Sequence, residues 1–369
     1  MSEWKKVRLG DILLIQKKSK IKASDGIENG IYPFFTCSND IVRTYNSAQY
    51  KGPALIFGTG GKASVHFCDT EFSTSTDCLT YYPVSSEINL DLVNKYIQSN
   101  IYLLENGFKG AGLKHVSRDY IANIEINLPD IKTQNCIVQK LNKAKNIISN
   151  SKKLLTKYDL LIKSRFIEMF GEPATNPKKW EIKTLDEVCK KITDGKHGGC
   201  KLEDNSDYYY VGAREIFDLN IHYETAQEIT KEDFEKDYKR CNLEIGDFCI
   251  VNTGATIGKT AIAKDVRSTK TLLQKSVALL KTKENLLSAL YLQYSYITNP
   301  SMYKVENASA QPNLLLSKIR ETKIMLPPLF LQNDFASFVQ QIDKSKFAVQ
   351  KALEKAETLY KSLMQLYFA

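Results

Sequence analysis

The sequence predicts an α+β protein of two similar halves, each a mixed α/β globule followed by a long helix. Two runs, 132–170 and 332–368, place apolar residues at alternating steps of three and four, the spacing at which helices pair in a coiled coil. The same lead-in precedes both runs, since Leu128-Pro129 and Leu326-Pro327 stand 198 residues apart. We therefore expect the two long helices to pair with each other.

The first run has the features of one uninterrupted helix. No proline or glycine lies within it, and Gly171 followed by Pro173 forms a normal helix stop. It would span about 58 Å, longer than an ordinary globular helix, and a seam of that length requires a partner. The expected seam residues are Ile137, Leu141, Ile148, Leu155 and Ile162 on the first helix, and Phe335, Ile342, Val349, Leu359 and Leu363 on the second.

An internal repeat sets the domain organisation. Trp4 and Leu9 open the first half, and Trp180 and Leu185 open the second with the same spacing. The chain is therefore expected to divide into a first globule over 1–128, a central long helix over 129–171, a second globule over 172–325 and a C-terminal long helix over 326–369.

Both globules show the same order of elements. A strand, a glycine-rich turn and a second strand are predicted over 53–67 and again over 247–263. Helices over 91–98 and 288–296 follow, and short strands over 121–128 and 319–326 lead into the long helices. An insertion rich in Tyr, Asp and Glu is expected around 196–239. His66 alternates with apolar neighbours in the first hairpin, so we expect its side chain to face solvent.

The chain has a basic character and no membrane segment. Its net charge is +9, and the run 132–170 holds nine Lys and Arg residues against two acids. Such a helix suits a polyanion or an acidic protein partner, and equally a solvated lysine-rich face. No apolar run could span a membrane, and no secretory signal is visible. A cytoplasmic location with eight reduced cysteines is therefore expected.

No motif predicts catalysis or a metal centre. Gly254 and Gly258 precede Lys259-Thr260 as in a phosphate-binding loop, but three residues separate the glycines where that loop needs four, and a strand-like segment follows. Neither usual signature of a methyltransferase that uses S-adenosylmethionine occurs. The four histidines lack the spacing of a metal or catalytic pair. We therefore expect neither catalytic residues nor metal ligands.

Basic and small polar residues recur in turns at equivalent places in both halves, which favours contact with nucleic acid. Lysine suits phosphate, whereas Gln, Asn and His suit base edges. Any one of these turns is by itself more typical of an ordinary surface loop. The candidate DNA contacts are Thr59, Lys62, Lys109, Lys114 and His115 in the first half, and Lys196, His197, Thr253, Lys259, Thr260, Gln311 and Asn313 in the second.

This order of globule, long helix, globule and long helix, without a catalytic motif, resembles the specificity subunit of type I restriction–modification systems. The similarity rests on the two Trp openings, on the Leu-Pro lead-ins that end in Gln134 and Gln332, and on the segment 165–171 that ends the central helix. It covers essentially the whole chain. The lead-ins depart from the family at Thr133 and Leu331, where a glutamate is common.

The resemblance implies that each globule is a target-recognition domain for one half of a bipartite double-stranded DNA site, and that the helices pair antiparallel as a spacer. It implies that this chain has no catalysis or cofactor of its own. Two adenine-specific methyltransferase subunits and the restriction subunits, which translocate and cut DNA, would dock on it and bring S-adenosylmethionine, ATP and magnesium. A stand-alone DNA-modifying enzyme and a structural coiled-coil adaptor remain the alternatives.

Overall fold

The structure, a computed structural model, describes residues 4–40, 43–112, 114–304 and 312–368. The chain forms two compact units, Met1–Lys153 with Gln350–Ala369, and Leu154–Val349. Each unit therefore contains one globule together with a part of both long helices.

The elements of the first half alternate short strands and helices before one long helix. The strands are β1 Lys5–Arg8, β2 Leu13–Ile15, β3 Tyr32–Phe35, β4 Arg43–Tyr45, β5 Tyr50–Lys51, β6 Ala54–Gly58, β7 Ser64–Cys68, β8 Glu71–Thr74, β9 Cys78–Pro83 and β10 Glu125–Leu128. The helices are α1 Leu9–Ile12, α2 Leu90–Ser99, α3 Tyr102–Glu105, α4 Arg118–Ala122 and the long helix α5 Ile131–Phe170.

The second half repeats this order with an insertion. Its strands are β11 Glu181–Thr184, β12 Cys189–Asp194, β13 Tyr209–Val211, β14 Ile216–Phe217, β15 Asn220–Ile221, β16 Gln227–Glu228, β17 Phe248–Val251, β18 Thr260–Ile262, β19 Thr271–Leu273, β20 Val277–Thr282 and β21 Lys323–Leu326. Its helices are α6 Leu185–Val188, α7 Lys231–Cys241, α8 Ala289–Thr298, α9 Leu316–Glu321 and the long helix α10 Leu329–Phe368. The predicted insertion contains β13 to β16 and most of α7.

Both units contain the same four-stranded antiparallel sheet, ordered β2-β9-β6-β7 in the first and β12-β20-β17-β18 in the second. The outer hairpins of these sheets, β6–β7 and β17–β18, are the two predicted ones. A smaller sheet in each unit holds one parallel pair, β3 with β8 and β13 with β19. The opening strand pairs with the strand before the long helix in both units. The α+β class and the repeat are thus confirmed.

The long helices run antiparallel within each unit. In the first unit Ile137 and Leu141 of α5 share a core cluster with Phe368, the last residue of α10. Further along α5, Lys152 pairs with Glu357 at 2.9 Å. As residue numbers rise along α5 in the first unit, the facing residues of α10 have falling numbers, so the two helices run antiparallel there.

The second unit shows the same antiparallel packing of aromatic rings and charges. The rings of Phe166 on α5 and Phe335 on α10 lie 5.4 Å apart. Asp159, earlier on α5, pairs with Lys346, later on α10, at 2.6 Å. The phenylalanines belong to the same core as Tyr291 of α8, so the helix pair is continuous with the globule.

Most of the predicted seam positions face the protein interior, but one does not. Ile137, Leu141, Ile162 and Phe335 are buried, Ile342 and Leu363 pack half-buried against the cores, and Ile148, Leu155 and Val349 are half-buried. Leu359 is 51% exposed, so its assignment to the seam is wrong. Leu353 and Ala356 hold the buried positions on that part of α10.

Three local expectations also need correction. Residues 121–128 do not form one strand, because Ser117 accepts a hydrogen bond from Tyr120 N at 3.1 Å and starts helix α4, so the strand begins only at Glu125. Residues 319–326 do not form one strand either, because helix α9 continues to Glu321 and β21 begins only at Lys323. His66 does not face solvent, since only 7% of it is exposed. Its Nε2 donates to the Ser38 carbonyl at 2.8 Å. Within the described ranges, no helix is long and apolar enough to cross a membrane.

Candidate nucleic-acid interface

A tight turn over residues 58–62, the first turn, joins β6 to β7. The amide of Val116 donates to the Thr59 carbonyl at 3.1 Å, and the amide of Gly61 donates to the Lys114 carbonyl at 3.1 Å. Lys109 and His115 exchange both of their backbone hydrogen bonds, at 2.9 and 3.0 Å. These bonds hold the turn beside the polar loop 109–116, so the candidate residues of the first half lie in one place.

The side chains at the first turn present positive charge and a histidine. Lys62, Lys109 and Lys114 are exposed. The imidazole of His115 donates from Nδ1 to the Thr59 carbonyl at 3.1 Å, which leaves Nε2 of the neutral ring as an acceptor. The Thr59 hydroxyl donates to the Asp77 carbonyl at 2.8 Å, so this candidate braces the turn from inside. The lysines suit phosphate, and the histidine suits a base amino group.

The second turn, residues 252–259 between β17 and β18, is built on the same backbone bonds. The amide of Leu314 donates to the Asn252 carbonyl at 2.7 Å, and the amide of Gly254 donates to the Pro312 carbonyl at 3.0 Å. Asn313 follows Pro312 and forms an antiparallel bridge with Thr253. The hydrogen bonds therefore equate Asn252 with Thr59 of the first unit and Asn313 with His115.

A glycine with positive φ stands at the equivalent point of both turns. Gly61 has φ +79° and Gly254 has φ +99°, a conformation that side-chain-bearing residues rarely adopt. Among the described residues, and apart from the glycine and its chain neighbours, no atom lies within 4 Å of where a Cβ would stand at Gly61 or Gly254. The constraint is thus the backbone conformation rather than space, and it fixes how both turns are presented.

A cleft of about 430 Å³ opens beside the second turn. The Thr253 hydroxyl donates to the carboxamide oxygen of Asn313 at 3.2 Å, and Nε2 of His197 lies 3.1 Å from Oδ2 of Asp194. The polar lining of the cleft consists of Asp194, His197, Asn252, Thr253, Lys275, Asn313 and Ser317. Three sequence candidates, His197, Thr253 and Asn313, are therefore brought together.

Among the described candidates of the second half, Lys196, Lys259 and Thr260 do not line this cleft. The ammonium of Lys196 pairs with Asp237 at 2.7 Å, and this hydrogen bond raises the lysine's pKa, so its charge is engaged within the protein. Thr260 is 3% exposed on β18, and its inclusion among the DNA contacts is not compatible with that burial. Gln311 lies outside the described residues. Lys259 is exposed at the end of the second turn, where its amide donates to the Thr256 carbonyl at 3.2 Å.

Asn252 and Lys275 are two of the polar lining residues that the sequence pattern did not indicate. Asn252 is 4% exposed, and its carboxamide oxygen has no hydrogen-bond partner among the described residues. A buried acceptor without a hydrogen bond lowers the free energy of unfolding by about 1–3 kcal/mol, so such groups are uncommon in native proteins. Lys275, exposed at the cleft, is the second. Neither stands out in sequence, because an asparagine in a glycine-containing turn is an ordinary turn residue.

Asp194 links the cleft to the inserted helix α7. Burial opposes ionisation of its carboxyl group, but hydrogen bonds from Arg240 and His197 outweigh that effect and lower its pKa. Arg240, which lies on α7, also donates from Nε to the Gly195 carbonyl at 2.8 Å. The insertion thereby fixes one wall of the cleft. Across the ranges that the structure describes, no group of three or more His, Cys, Asp or Glu side chains could hold a metal ion.

Comparison with known proteins accounts for this architecture. The family model of the type I restriction modification DNA specificity domain matches the chain twice, over residues 1–157 and 177–357. The MjaVIII type I restriction enzyme specificity subunit of Methanocaldococcus jannaschii is 24% identical, with 99% of this chain and 92% of that protein covered. The EcoDI specificity subunit of Escherichia coli is 22% identical over 44% of this chain and 35% of its own length.

Solved structures agree on the fold. The type I restriction–modification S subunit from M. genitalium superposes with a TM-score of 0.72 at 15% identity, covering 100% of this chain and 96% of that one. A chain from a structure on complex assembly and conformational transition of the type I restriction–modification system gives 0.55 at 17% identity, covering 99% and 97%. With two matched specificity domains and this fold, the chain belongs to the family of type I restriction–modification specificity subunits.

Proposed function

We propose that the chain reads a bipartite double-stranded DNA site, one half with the first turn and the other half with the second turn. We call these two turns the recognition turns. The observation that carries this proposal is that both turns are held by the same backbone hydrogen bond. In the first unit the Thr59 carbonyl accepts from the amide of Val116, the residue after His115. In the second unit the Asn252 carbonyl accepts from the amide of Leu314, the residue after Asn313. The same frame presents different side chains in the two units. Because the two turns share a backbone structure but carry different side chains, they suit an asymmetric DNA site whose two halves differ in sequence.

In the first unit, charge supplies the affinity and one imidazole supplies the reading. Lys62, Lys109 and Lys114 are exposed around the turn and would contact phosphates, while His115 would meet a base edge. In the second unit Asn313 takes the place of His115. Asparagine can bond an adenine through both N6 and N7, so we assign Asn313 the corresponding base-reading position. Lys259 and Lys275 would contact phosphates there.

The long helices offer a docking surface for the catalytic partners. Because α5 begins at Ile131 and α10 at Leu329, Leu161 and Leu359 occupy equivalent positions, and they are 45% and 51% exposed. Leu160 in the second unit and Leu366 in the first are also exposed, at 57% and 72%. Leu154 and Leu161 on α5 lie seven residues apart on one helix face, as do Leu359 and Leu366 on α10, and an exposed apolar stripe favours a protein contact. Two such stripes suit two copies of one partner. We assign them to two adenine methyltransferase subunits.

The chemistry in this proposal belongs to the partners. The methyltransferase subunits would bind S-adenosylmethionine, and the restriction subunits would bind ATP and magnesium, whereas this chain would act without catalysis in the cytoplasm. The test co-expresses the full chain with its methyltransferase and measures co-purification of Leu161→Ser and Leu359→Ser variants. Lys163→Ser and Lys361→Ser, at exposed equivalent positions of the same helices, are the matched controls. Loss of the partner in the leucine variants alone supports the docking surface, and retention in all four contradicts it.

A further inference from the structure

A buried glutamine in the first turn of α5 ties the long helix to the globule before it. Gln134 is 2% exposed. Its carboxamide oxygen accepts from the amide of Asn89 at 2.8 Å, and its Nε2 donates to the carbonyls of Glu87 at 3.1 Å and Pro129 at 2.8 Å. Asn89 is the N-cap of α2. One side chain therefore joins the start of α5 to the start of α2.

The second unit repeats the arrangement atom for atom. Gln332 is 0% exposed; its oxygen accepts from Ser288 at 2.9 Å, and its Nε2 donates to Leu286 at 3.0 Å and Pro327 at 2.8 Å. Ser288 is the N-cap of α8. Both glutamines are buried, and loss of either glutamine would leave three backbone groups without their hydrogen-bond partner.

The helices held by these glutamines lead to the recognition turns. In the first unit, the side chain of Gln98, near the end of α2, donates to the Val65 carbonyl on β7 at 3.2 Å, and β7 follows the first turn. In the second unit, Tyr296 of α8 and Ile262 of β18 share one core cluster, and β18 follows the second turn. In each unit a short chain of contacts thus runs from the long helix through one glutamine and one helix to the turn.

We infer that Gln134 and Gln332 are positioning residues, each fixing a recognition turn on its own long helix. This inference rests on the proposed bipartite reading of DNA. If the position of a recognition turn relative to its long helix is fixed, the turn can bind its half-site only at one distance from the other half-site. Without the glutamine, the globule can shift on the helix, so sites with a longer or shorter spacer become acceptable.

The test uses the full chain assembled with its methyltransferase, and DNA sites whose half-sites stand at the native spacing or one base pair closer or further apart. The measured quantity is the methylation of altered-spacing sites relative to native-spacing sites. This ratio does not depend on how much protein is folded. The variants are Gln134→Glu and Gln332→Glu, which keep the side-chain volume and one acceptor but lose at least one of the two donated bonds, together with Gln134→Leu and Gln332→Leu, which lose all three bonds. Exposed Gln139→Leu on α5 and Gln340→Leu on α10 serve as controls.

We expect the relative methylation of altered-spacing sites to rise on the order of tenfold in the Gln134 and Gln332 variants, the scale of one lost hydrogen bond, and to stay unchanged in the controls. Variants that methylate less but keep the wild-type ratio would overturn the inference, since the glutamines would then only stabilise the fold. If a leucine variant fails to assemble, the ratio of its glutamate counterpart decides. A wild-type complex without any bipartite preference would instead refute the proposed function.

Discussion

The amide of Val116 lies 3.1 Å from the carbonyl oxygen of Thr59, and this bond joins the polar loop of the first unit to its recognition turn. Leu314 and Asn252 form the equivalent bond at 2.7 Å in the second unit. Because backbone atoms make both bonds, side chains at the turns can differ without changing how the turns are held. Under the proposed function, the backbone would hold the two turns in place while their side chains would set the specificity.

The exposed lysines at the turns should contribute affinity without specificity. We expect Lys62→Ala and Lys259→Ala each to weaken DNA binding and to lower the slope of log affinity against log salt by about one unit, because one phosphate contact is lost. Binding titrations of the assembled complex at several salt concentrations measure this slope. Lys361→Ala, on α10, is the control. Unchanged slopes in both turn variants would remove these lysines from the interface.

Asn252 should cost stability at the second turn. Its carboxamide oxygen lacks a described partner, whereas the hydroxyl of its counterpart Thr59 donates to the Asp77 carbonyl. The carbonyl of Ser276 stands in the place of Asp77, since it accepts from Asn252 N at 3.0 Å. Asn252→Thr should therefore stabilise the protein by about 1 kcal/mol and leave the base preference unchanged, because the side chain at this position is buried.

Thermal unfolding measures the stability of the Asn252→Thr variant, and methylation mapping checks its recognition sequence. The reverse change, Thr59→Asn, should destabilise the protein. An Asn252→Thr protein that is less stable than the wild type would contradict this explanation, and an altered recognition sequence would show that Asn252 itself reads DNA.

Core and surface phenylalanines on α10 should differ sharply in their effect on stability. Phe335 is 0% exposed and contacts the rings of Phe166 and Phe170, whereas Phe330 is 63% exposed. We expect Phe335→Ala to cost about 3–5 kcal/mol in the free energy of unfolding and Phe330→Ala to stay within about 0.5 kcal/mol of the wild type. Urea unfolding measures both. Similar losses in the two variants would mean that α10 does not pack as described.

His66 should make the first unit sensitive to acid. Burial lowers the pKa of its imidazole, so the folded state binds the proton less readily than the unfolded chain. The stability that depends on the neutral ring is therefore complete above the unfolded pKa of about 6.5 and is lost as pH falls toward the lower folded pKa. His66→Gln should flatten the pH dependence of the unfolding midpoint over that range. Parallel pH profiles for both proteins would exclude His66 as the cause.

Sequence patterns predicted the repeated elements because local chemistry sets them. Gly171, with φ +83°, ends α5 where the pattern of apolar residues stops. The failures arise where the answer depends on tertiary packing. Spacing alone marked both Leu359 and Leu363 as seam residues, yet only Leu363 packs against the first core, since α10 carries two apolar stripes.

The same limit explains His66 and the recognition turns. Alternation of polar and apolar residues along a strand predicts a solvent-facing side chain only when one side of the sheet is left uncovered. Val65 belongs to one core cluster, while the ring of Phe35 lies 5.4 Å from His66 on the other side. For the turns, glycine and lysine spacing indicated where they lie. Only the backbone hydrogen bonds revealed that Asn252, rather than Thr253, corresponds to Thr59.

Mapping methylated adenines in cells that carry this chain and its methyltransferase tests the central claim most directly. We predict one bipartite recognition sequence whose halves are separated by unspecified bases. His115→Ala should relax one position in one half, and Asn313→Ala should relax one position in the other half. A continuous recognition sequence, or two variants that alter the same half, would contradict the claim that each unit reads its own half-site.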